Sequence, residues 1–256
     1  MLYGLYLSAQ GANAQSQRLD VIANNIANAS TSGFKRDLAI FRQLDPHDIA
    51  LGLNDELPHR LNDQTGGLIL DEVVTDYGNA PLNETNSDLD VAITGPGFLQ
   101  VSNGNEQFLT RDGQMTLNNN GELVTHNGGL QVLNAAGVPI TIPPNTTEVG
   151  ISSTGAVSVS IDGRSMVPLA QLGVVTPRDF KQLEKLGNNL YTSHGPVGPA
   201  TPDVMVKQGY LEASSVEPVS EMLQMIETSR AFESNLNMAK YQDESLGALL
   251  GSLART

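Results

Sequence analysis

Two segments at opposite ends of the chain carry helix-period apolar patterns, and these segments constrain the fold more than any other feature. In the first thirty residues, apolar and small side chains recur in steps of four and three. This stripe comprises Leu5, Ala9, Ala12, Ser16, Leu19, Ala23 and Ile26. Because its members are mostly small, the stripe permits close approach of a second helix but buries little area. The pattern predicts a helix with a coiled-coil tendency that needs a partner.

The C-terminal segment supplies a bulkier stripe with the same spacing. Its members are Met222, Met225, Ser229, Phe232, Leu236, Ala239, Asp243, Leu246, Leu250 and Leu253. Ser214 and Ser215 are candidate N-caps, and Pro218 suits a first helical turn. Since bulky side chains pack well against small ones, we expect residues 206–256 to form a helix that pairs with residues 1–32.

Between the chain ends, the apolar period changes from helical to two. Apolar and polar residues alternate in "LDVAITG" and in "AVSVSIDG", and turn sequences rich in Gly, Asn and Asp separate such runs. These patterns predict an antiparallel β domain over residues 88–205, with a short helix at 178–187. Residues 33–87 are expected to form an extended connector with short strands. The expected fold class is α+β, a discontinuous, coiled-coil-like helical domain made from both chain ends with an antiparallel β domain inserted.

Composition excludes several classes of function. The chain has 256 residues, a formal net charge of −14 and no cysteine. A general nucleic-acid binder needs a basic surface, and disulfides and thiol catalysis need cysteine. No run approaches the ~20 apolar residues of a membrane-spanning helix, and the N-terminus lacks the basic start of a secretory signal peptide. We therefore expect no nucleic-acid partner and no membrane insertion.

Recognisable motifs for catalysis, cofactors or metals are not found. "GPGF" at residues 95–98 lacks the Lys and Ser/Thr of a phosphate loop and is expected to be a tight turn. Residues 61–72 depart from a calcium loop because Leu61 stands at the first ligand position. No catalytic, cofactor-binding or metal-binding residue is assigned. Asp88 and Asp90 could share a strand face, which is more often a solvated edge than an acid/base pair. A glycan hydrolase with paired carboxylates is an alternative for which the sequence offers no motif.

Three blocks of the sequence resemble the signatures of one family. "LDVIANNIANASTSGFKR" is similar to the N-terminal signature of the bacterial flagellar axial proteins of rod and hook. "SDLDVAITGPGFLQV", followed by "FLTRDGQMTLNNNGELVT", resembles the central segment of the same group. "QGYLEASSVEPVSEMLQMIETSRAFESN" resembles the C-terminal helix signature. The blocks stand in the order that the family shows.

The resemblance implies a structural, non-enzymatic subunit of the flagellar basal-body rod, the drive shaft that crosses the periplasm. Such a subunit self-assembles into a helical tube with neighbouring rod and hook proteins, transmits torque to the hook, and leaves the cell through the flagellar type III export apparatus. "SSVEPVSEM" resembles the proximal rod subunit more, whereas "QGYLE" and "SRAFESN" suit the distal subunit about as well, so the proximal position is slightly favoured. The hydrolase and a non-flagellar coiled-coil adhesin remain alternatives.

The asparagines near the end of the N-terminal helix are interpreted as a subunit contact. Asn24, Asn25 and Asn28 lie off the apolar stripe, and asparagine is a mediocre helix former. In a packed tube, these amides would hydrogen-bond to a neighbouring copy. Together with the two stripes, they give the expected interface residues: Leu5, Ala12, Leu19, Ala23, Asn24, Asn25, Ile26 and Asn28 in the N-terminal helix, and Met222, Ile226, Phe232, Leu236, Ala239 and Leu246 in the C-terminal helix.

Overall fold

The computed structural model describes residues 2–43, 67–163 and 165–253. It has a helix at each end and antiparallel strands between them, so the α+β class is confirmed. The chain divides into two compact units. The first contains the described residues of 1–27, 36–76 and 216–256, and the second contains those of 28–35 and 77–215.

The first unit contains both helices. Helix α1 spans Leu2–Ala27 and helix α2 spans Pro218–Leu253. Proline at the first helical position costs no hydrogen bond, and Glu221 in the first turn of α2 complements the helix dipole. The C-terminal helix therefore starts later than residue 206, because the residues before it pair as strands. Neither helix, over the residues that are described, is long and apolar enough to cross a membrane.

A two-stranded antiparallel sheet completes the first unit. Strand β1 (Asp37–Gln43) pairs with β2 (Leu68–Thr75), with an irregularity between Ile40 and Phe41, and both strands pack against α1. The expected extended connector thus contains a regular strand pair. Residues 44–66 of the connector, which include the first half of the stretch compared with a calcium loop, lie outside the described residues.

The second unit is built from short strands. They are β3 (Leu82–Glu84), β4 (Val91–Thr94), β5 (Phe98–Ser102), β6 (Gln107–Thr110), β7 (Met115–Leu117), β8 (Leu123–Thr125), β9 (Gln131–Val132), β10 (Glu148–Ile151), β11 (Ala156–Ser160), β12 (Val167–Gln171), β13 (Val174–Pro177), β14 (Leu183–Gly187), β15 (Leu190–Ser193), β16 (Val197–Pro199), β17 (Met205–Gln208) and β18 (Tyr210–Glu212).

Most of these strands join one antiparallel sheet of nine strands. Its main path runs β14-β15-β6-β5-β9-β8-β7, and β13 pairs with both β5 and β16. Strands β10, β11 and β12 form a second sheet, and β4 and β3 pair with the late strands β17 and β18. The expected antiparallel β region is therefore confirmed, and the segment between β4 and β5 is the predicted tight turn, with Gly95 at a φ of +94°.

Alternating strand residues form the core of this unit. The main buried cluster includes Val91, Ile93, Leu99, Val101 and Val157, as period-two patterning requires. A smaller aromatic cluster is built from Tyr77, Phe98, Phe180 and Tyr191, with ring centroids 5.1–6.4 Å apart.

The prediction of a helix at residues 178–187 is wrong. Only Phe180–Gln182 forms a single 3-10 turn, and Leu183–Gly187 is strand β14, paired with β15. The Asp179 side chain accepts a hydrogen bond from Lys181 N and caps the short turn. Pairing along the edge of the large sheet overrides the local helix preference of this segment.

Candidate assembly interface

Helices α1 and α2 pack against each other through small and polar residues. A Cβ atom at Gly4 would lie 2.9 Å from Gln242 Nε2, and one at Gly11 would lie 3.0 Å from Asn235 Nδ2. A step forward along α1 therefore corresponds to an equal step back along α2, so the helices run antiparallel. Glycine permits this approach because it has no side chain to keep the second helix away.

The face of α1 that is buried lies one residue from the predicted apolar stripe. Ser8 and Ile22 are buried, whereas Ala9 and Ala23 are exposed. Of the other predicted stripe members, Ala12 is buried and Leu5, Ser16, Leu19 and Ile26 are half-buried. The displacement arises because a count of apolar side chains ignores glycine, although Gly4 and Gly11 make the closest contacts with α2.

About half of the residues in the predicted apolar stripe of α2 are partly shielded from solvent. Met225, Phe232, Ala239 and Leu246 are half-buried, but Met222, Leu236 and Asp243 are exposed. The inner positions instead belong to polar residues at seven-residue intervals: Glu221 and Thr228 are buried, and Asn235 and Gln242 are half-buried. The inner face of α2 is thus partly polar, and much of its apolar surface lies elsewhere.

Asn25 bonds within its own unit, which corrects the expectation that it faces a neighbouring copy. Its side chain is 1% exposed. Nδ2 donates to Asp37 O and Oδ1 accepts from Asp37 N, both at 2.9 Å. Nδ2 also lies 3.4 Å from Glu221 Oε2, which continues the register of the two helices. The amide therefore acts like a strand partner for the start of β1. Asn24 is exposed and Asn28 is half-buried.

An ion pair closes this polar cluster. Arg36 Nε lies 2.5 Å from Glu221 Oε1, and the Glu221 side chain is almost fully buried. Thr75 Oγ1 donates to Asp37 Oδ1 at 2.8 Å, and Asp76 N donates to Arg36 O at 2.8 Å. The start of α2 and both strands of the hairpin are therefore joined by one set of bonds.

Several polar atoms of the helix pair are buried and have no hydrogen-bond partner among the residues that the structure describes. They are the Oε1 atoms of Gln10, Gln15 and Gln242. Leaving a buried acceptor unpaired costs about 1–3 kcal/mol. Contacts within one subunit therefore leave part of the hydrogen-bonding capacity of the helix pair unused.

The outer face of α2, defined by Val219, Met222, Leu223 and Ile226, carries exposed apolar side chains. These four residues are between 47% and 67% exposed. Their helical spacing places them on one side, away from the buried Glu221. Leu236, Met238, Tyr241 and Leu250, farther along the helix, are also exposed. Exposed apolar residues grouped on one side, as at the outer face, are typical of an interaction site.

Clustered metal ligands are not found among the residues that are described. Asp88 and Asp90 do not share a strand face: they lie in the turn before β4, where Asp90 N donates to Ser87 O at 3.1 Å. Asp88 is exposed and Asp90 is buried. The shared strand face expected for Asp88 and Asp90 is therefore not formed.

Models of known protein families match three parts of the chain. "Flagella basal body rod protein" matches residues 5–35. "Flagellar hook protein FlgE/F/G D1 domain" matches residues 92–159, and "Flagellar basal body rod FlgEFG protein C-terminal" matches residues 207–252. The matched regions contain α1, the centre of the β region and α2.

Whole-length relatives carry the same description. The flagellar basal-body rod protein FlgG of Buchnera aphidicola subsp. Schizaphis graminum is 38% identical, over 97% of this chain and 99% of its own length. FlgF of Caulobacter vibrioides is 37% identical, over 94% of this chain and 92% of its own length. FlgG of Bacillus subtilis is 33% identical, over 98% of both.

Terminal helices, a central antiparallel β region and these matches define an axial protein of the bacterial flagellum. The chain belongs to the flagellar basal-body rod protein family and is a structural subunit of the rod, located in the flagellar basal body. The family assignment made from the three sequence blocks is thereby confirmed.

Proposed function

We propose that the chain assembles with copies of itself and with neighbouring rod and hook proteins into a helical tube across the periplasm, and that this tube transmits torque to the hook. The outer face of α2 is the observation that carries the proposal, because four apolar side chains are exposed there while the opposite side packs on α1. Burial of such a face contributes roughly 25 cal/mol per Å² of apolar surface. Many copies of such a contact, loaded in parallel, resist bending and twisting.

In this proposal, both chain ends form one axial domain of coiled-coil type. The helix within residues 1–32, α1, pairs with the helix within residues 206–256, α2, and the connector and the β region lie between them. Strands β17 and β18, which precede α2, belong to the β region. The antiparallel contacts of Gly4 with Gln242 and of Gly11 with Asn235 support the pairing.

The proposed contacts with other subunits use the exposed and half-buried members of the expected interface. They are Leu5, Leu19, Ala23, Asn24, Ile26 and Asn28 toward the N-terminus, and Met222, Ile226, Phe232, Leu236, Ala239 and Leu246 toward the C-terminus. Ala12 and Asn25 are buried in the single chain, and we assign them to contacts within the subunit.

We also propose export through the flagellar type III apparatus and no catalytic activity. The chain lacks cysteine, so it cannot mispair in an oxidising space. A peptidoglycan-clearing assay on the purified protein tests the second point; cleared zones would support the hydrolase alternative instead.

The proximal segment of the rod remains the preferred position, on the resemblance of "SSVEPVSEM". The relatives carry the names FlgG and FlgF, and neither printed name states a position along the rod. Labelling of the chain in purified basal bodies decides between the proximal and the distal segment of the rod.

Two charge insertions test the assembly proposal. Ile226→Asp and Leu236→Asp each place a carboxylate on exposed apolar surface of α2. We expect unfolding free energies within about 0.5 kcal/mol of the wild type, no completed rods, and no swimming. Ser234→Asp is the matched control, because it adds the same charge at an exposed position without removing apolar surface. Normal swimming of both apolar-to-Asp strains would refute the proposed contact.

A further inference from the structure

Lys35, Glu212 and Arg111 form a buried ion network in the second unit. Their side chains are at most 1% exposed. Lys35 Nζ donates to Glu212 Oε1 at 2.6 Å and to Gly78 O at 2.7 Å. Arg111 Nη1 lies 3.5 Å from Glu212 Oε2, and its Nη2 donates to Gly95 O at 2.7 Å. One carboxylate is therefore shared by two cations.

The network lies where the chain enters and leaves this unit. The chain enters the unit between residues 27 and 28, leaves it between 35 and 36, re-enters between 76 and 77, and leaves again between 215 and 216. Lys35 is the last residue of the first visit, and Glu212 stands just before the final exit. A pull on the chain ends enters this unit at residues 28 and 215, and Lys35 and Glu212 lie close behind these points in the sequence.

Backbone bonds hold the same two segments together. Gly33 N donates to Glu212 O at 2.8 Å, and Ser215 N donates to Phe34 O at 3.0 Å. Gly33 has a φ of +69°, and a Cβ atom there would come within 2.5 Å of Arg111 O. Glycine is therefore required for this close approach.

Further contacts fix residues 28–35 to the large sheet. Lys185 Nζ lies 3.8 Å from the centroid of the Phe34 ring and donates to Lys35 O at 2.9 Å. Asn189 Nδ2 donates to Ser32 O at 2.6 Å. The segment thus has side-chain and backbone anchors along much of its length.

Equilibrium stability alone does not account for a buried ion network. Apolar residues of similar volume often give a folded state that is as stable or more so. What a buried ion pair adds is sensitivity to displacement: a small separation leaves charges unpaired in a medium of low dielectric constant. Such a bond resists the first small movement under load more steeply than apolar contact does.

We propose that the Lys35–Glu212–Arg111 network is a mechanical clamp, which pins the entry and exit segments of the second unit so that tension cannot peel residues 28–35 and strand β18 from it. The clamp rests on the proposed role in torque transmission. It assigns a load-bearing task to three residues that the assembly interface does not use.

Single-molecule pulling of the full-length protein tests the clamp. Since the chain has no cysteine, the exposed changes Asp20→Cys and Glu227→Cys supply specific attachment points on either side of the clamped segments. At constant force, Lys35→Met should raise the opening rate of the second unit at least ~tenfold. Lys181→Met, at an exposed lysine of the same unit, is the matched control and should leave that rate unchanged. Equal opening rates for the two variants would overturn the clamp.

Pulling the wild-type protein gives a second, independent test of the clamp, because this test does not depend on whether a variant folds. The loosely held helix ends between the attachment points and the second unit, residues 20–27 and 216–227, are expected to extend first. The clamp predicts that residues 28–35 and β18 then open together with the rest of the second unit. A further short extension between these two steps would show that the segments peel first and would refute the proposal.

Swimming under load separates the clamp from the proposed rod function. A Lys35→Met strain should build rods and swim in dilute medium, but lose speed more than the wild type in medium thickened with methylcellulose. Equal loss of speed, in a background where deletion of the gene abolishes swimming, would overturn the clamp and leave the rod function intact. Undiminished swimming of the deletion strain would refute the rod function itself.

Discussion

At the scale of single residues, the buried ion network contains more positive than negative side chains. Two cations, Lys35 and Arg111, share the carboxylate of Glu212. Burial lowers the pKa of the Arg111 guanidinium, and Glu212 opposes this effect by charge and hydrogen bonding. Removal of Lys35 leaves the Arg111–Glu212 pair in place, whereas neutralising Glu212 removes the carboxylate that Lys35 and Arg111 share.

This asymmetry predicts different costs for two neutralising changes. Glu212→Gln should lower the unfolding free energy of the protein by about 3–5 kcal/mol, as for other broken buried pairs. Lys35→Met should cost distinctly less, because Arg111 keeps its partner. Urea unfolding followed by circular dichroism measures both. A larger loss for Lys35→Met than for Glu212→Gln would contradict the charge balance.

Asp112 gives a pH-dependent prediction. Burial raises the pKa of its carboxyl above the ordinary range, and the charge of Asp90 adds to this. Hydrogen bonds from Gln114 N and from Asn127, and the charge of His126, oppose the rise. Because the folded pKa is the higher one, ionisation costs stability, and this cost appears as pH rises from the ordinary Asp pKa through the folded pKa.

Asp112→Asn should therefore stabilise the protein at neutral pH and lose this advantage in acid. The amide keeps an oxygen for Gln114 N, and the Asn127 amide can turn to offer its oxygen. Thermal unfolding of both proteins from neutral to acidic pH measures the difference. A variant that is less stable at neutral pH, or whose advantage grows in acid, would contradict the assignment.

At the scale of elements, the type of each terminal helix could be predicted, but the face that each one buries could not. The heptad spacing located α1 and α2 correctly. Counting apolar residues then assigned Met222 and Leu236 to the inner face of α2, where Glu221 and Asn235 stand instead. The rule assumes that a chain buries its apolar residues within itself, and it fails for α2, where Met222 and Leu236 are exposed.

Asn25 and β14 show two further limits of sequence reasoning. The partner of Asn25 is the backbone of Asp37, and no residue type in the sequence marks a backbone partner. The segment Leu183–Gly187 looks helical locally, yet its partner strand β15 decides its conformation. Pairing with a distant strand cannot be predicted from the pattern of a short sequence segment. The β region itself was predictable because its alternation repeats over many strands.

The helix register gives a prediction at the same scale. Gly11→Cys with Asn235→Cys should form a disulfide on oxidation, since the Gly11 Cβ position lies 3.2 Å from Asn235 Cγ. Asn13→Cys with Asn235→Cys is the control, because Asn13 is exposed on another side of α1. Gel mobility without reductant reports the bond. Cross-linking of the control pair in place of the Gly11 pair would show that the register is different.

At the scale of the whole molecule, the chain combines a well-packed β unit with a helix pair that is incompletely satisfied. The β unit has a large buried apolar cluster. The helix pair has small and polar contacts, unpaired glutamine oxygens and an exposed apolar outer face on α2. In the proposed assembly, neighbouring subunits would supply the missing apolar burial, and we expect ordering of the chain ends to be coupled to docking. We therefore expect the helix pair to be stable in the rod and weakly held in the free chain.

Hydrogen exchange, compared between the free full-length chain and assembled rods, measures whether the helix pair is ordered before assembly. The account predicts that backbone amides of Leu2–Ala27 and Pro218–Leu253 exchange quickly in the free chain and slowly in the rod, while the β unit is protected in both. Equal, strong protection of both helices in the free chain would contradict it, because neighbouring subunits would then have nothing left to complete.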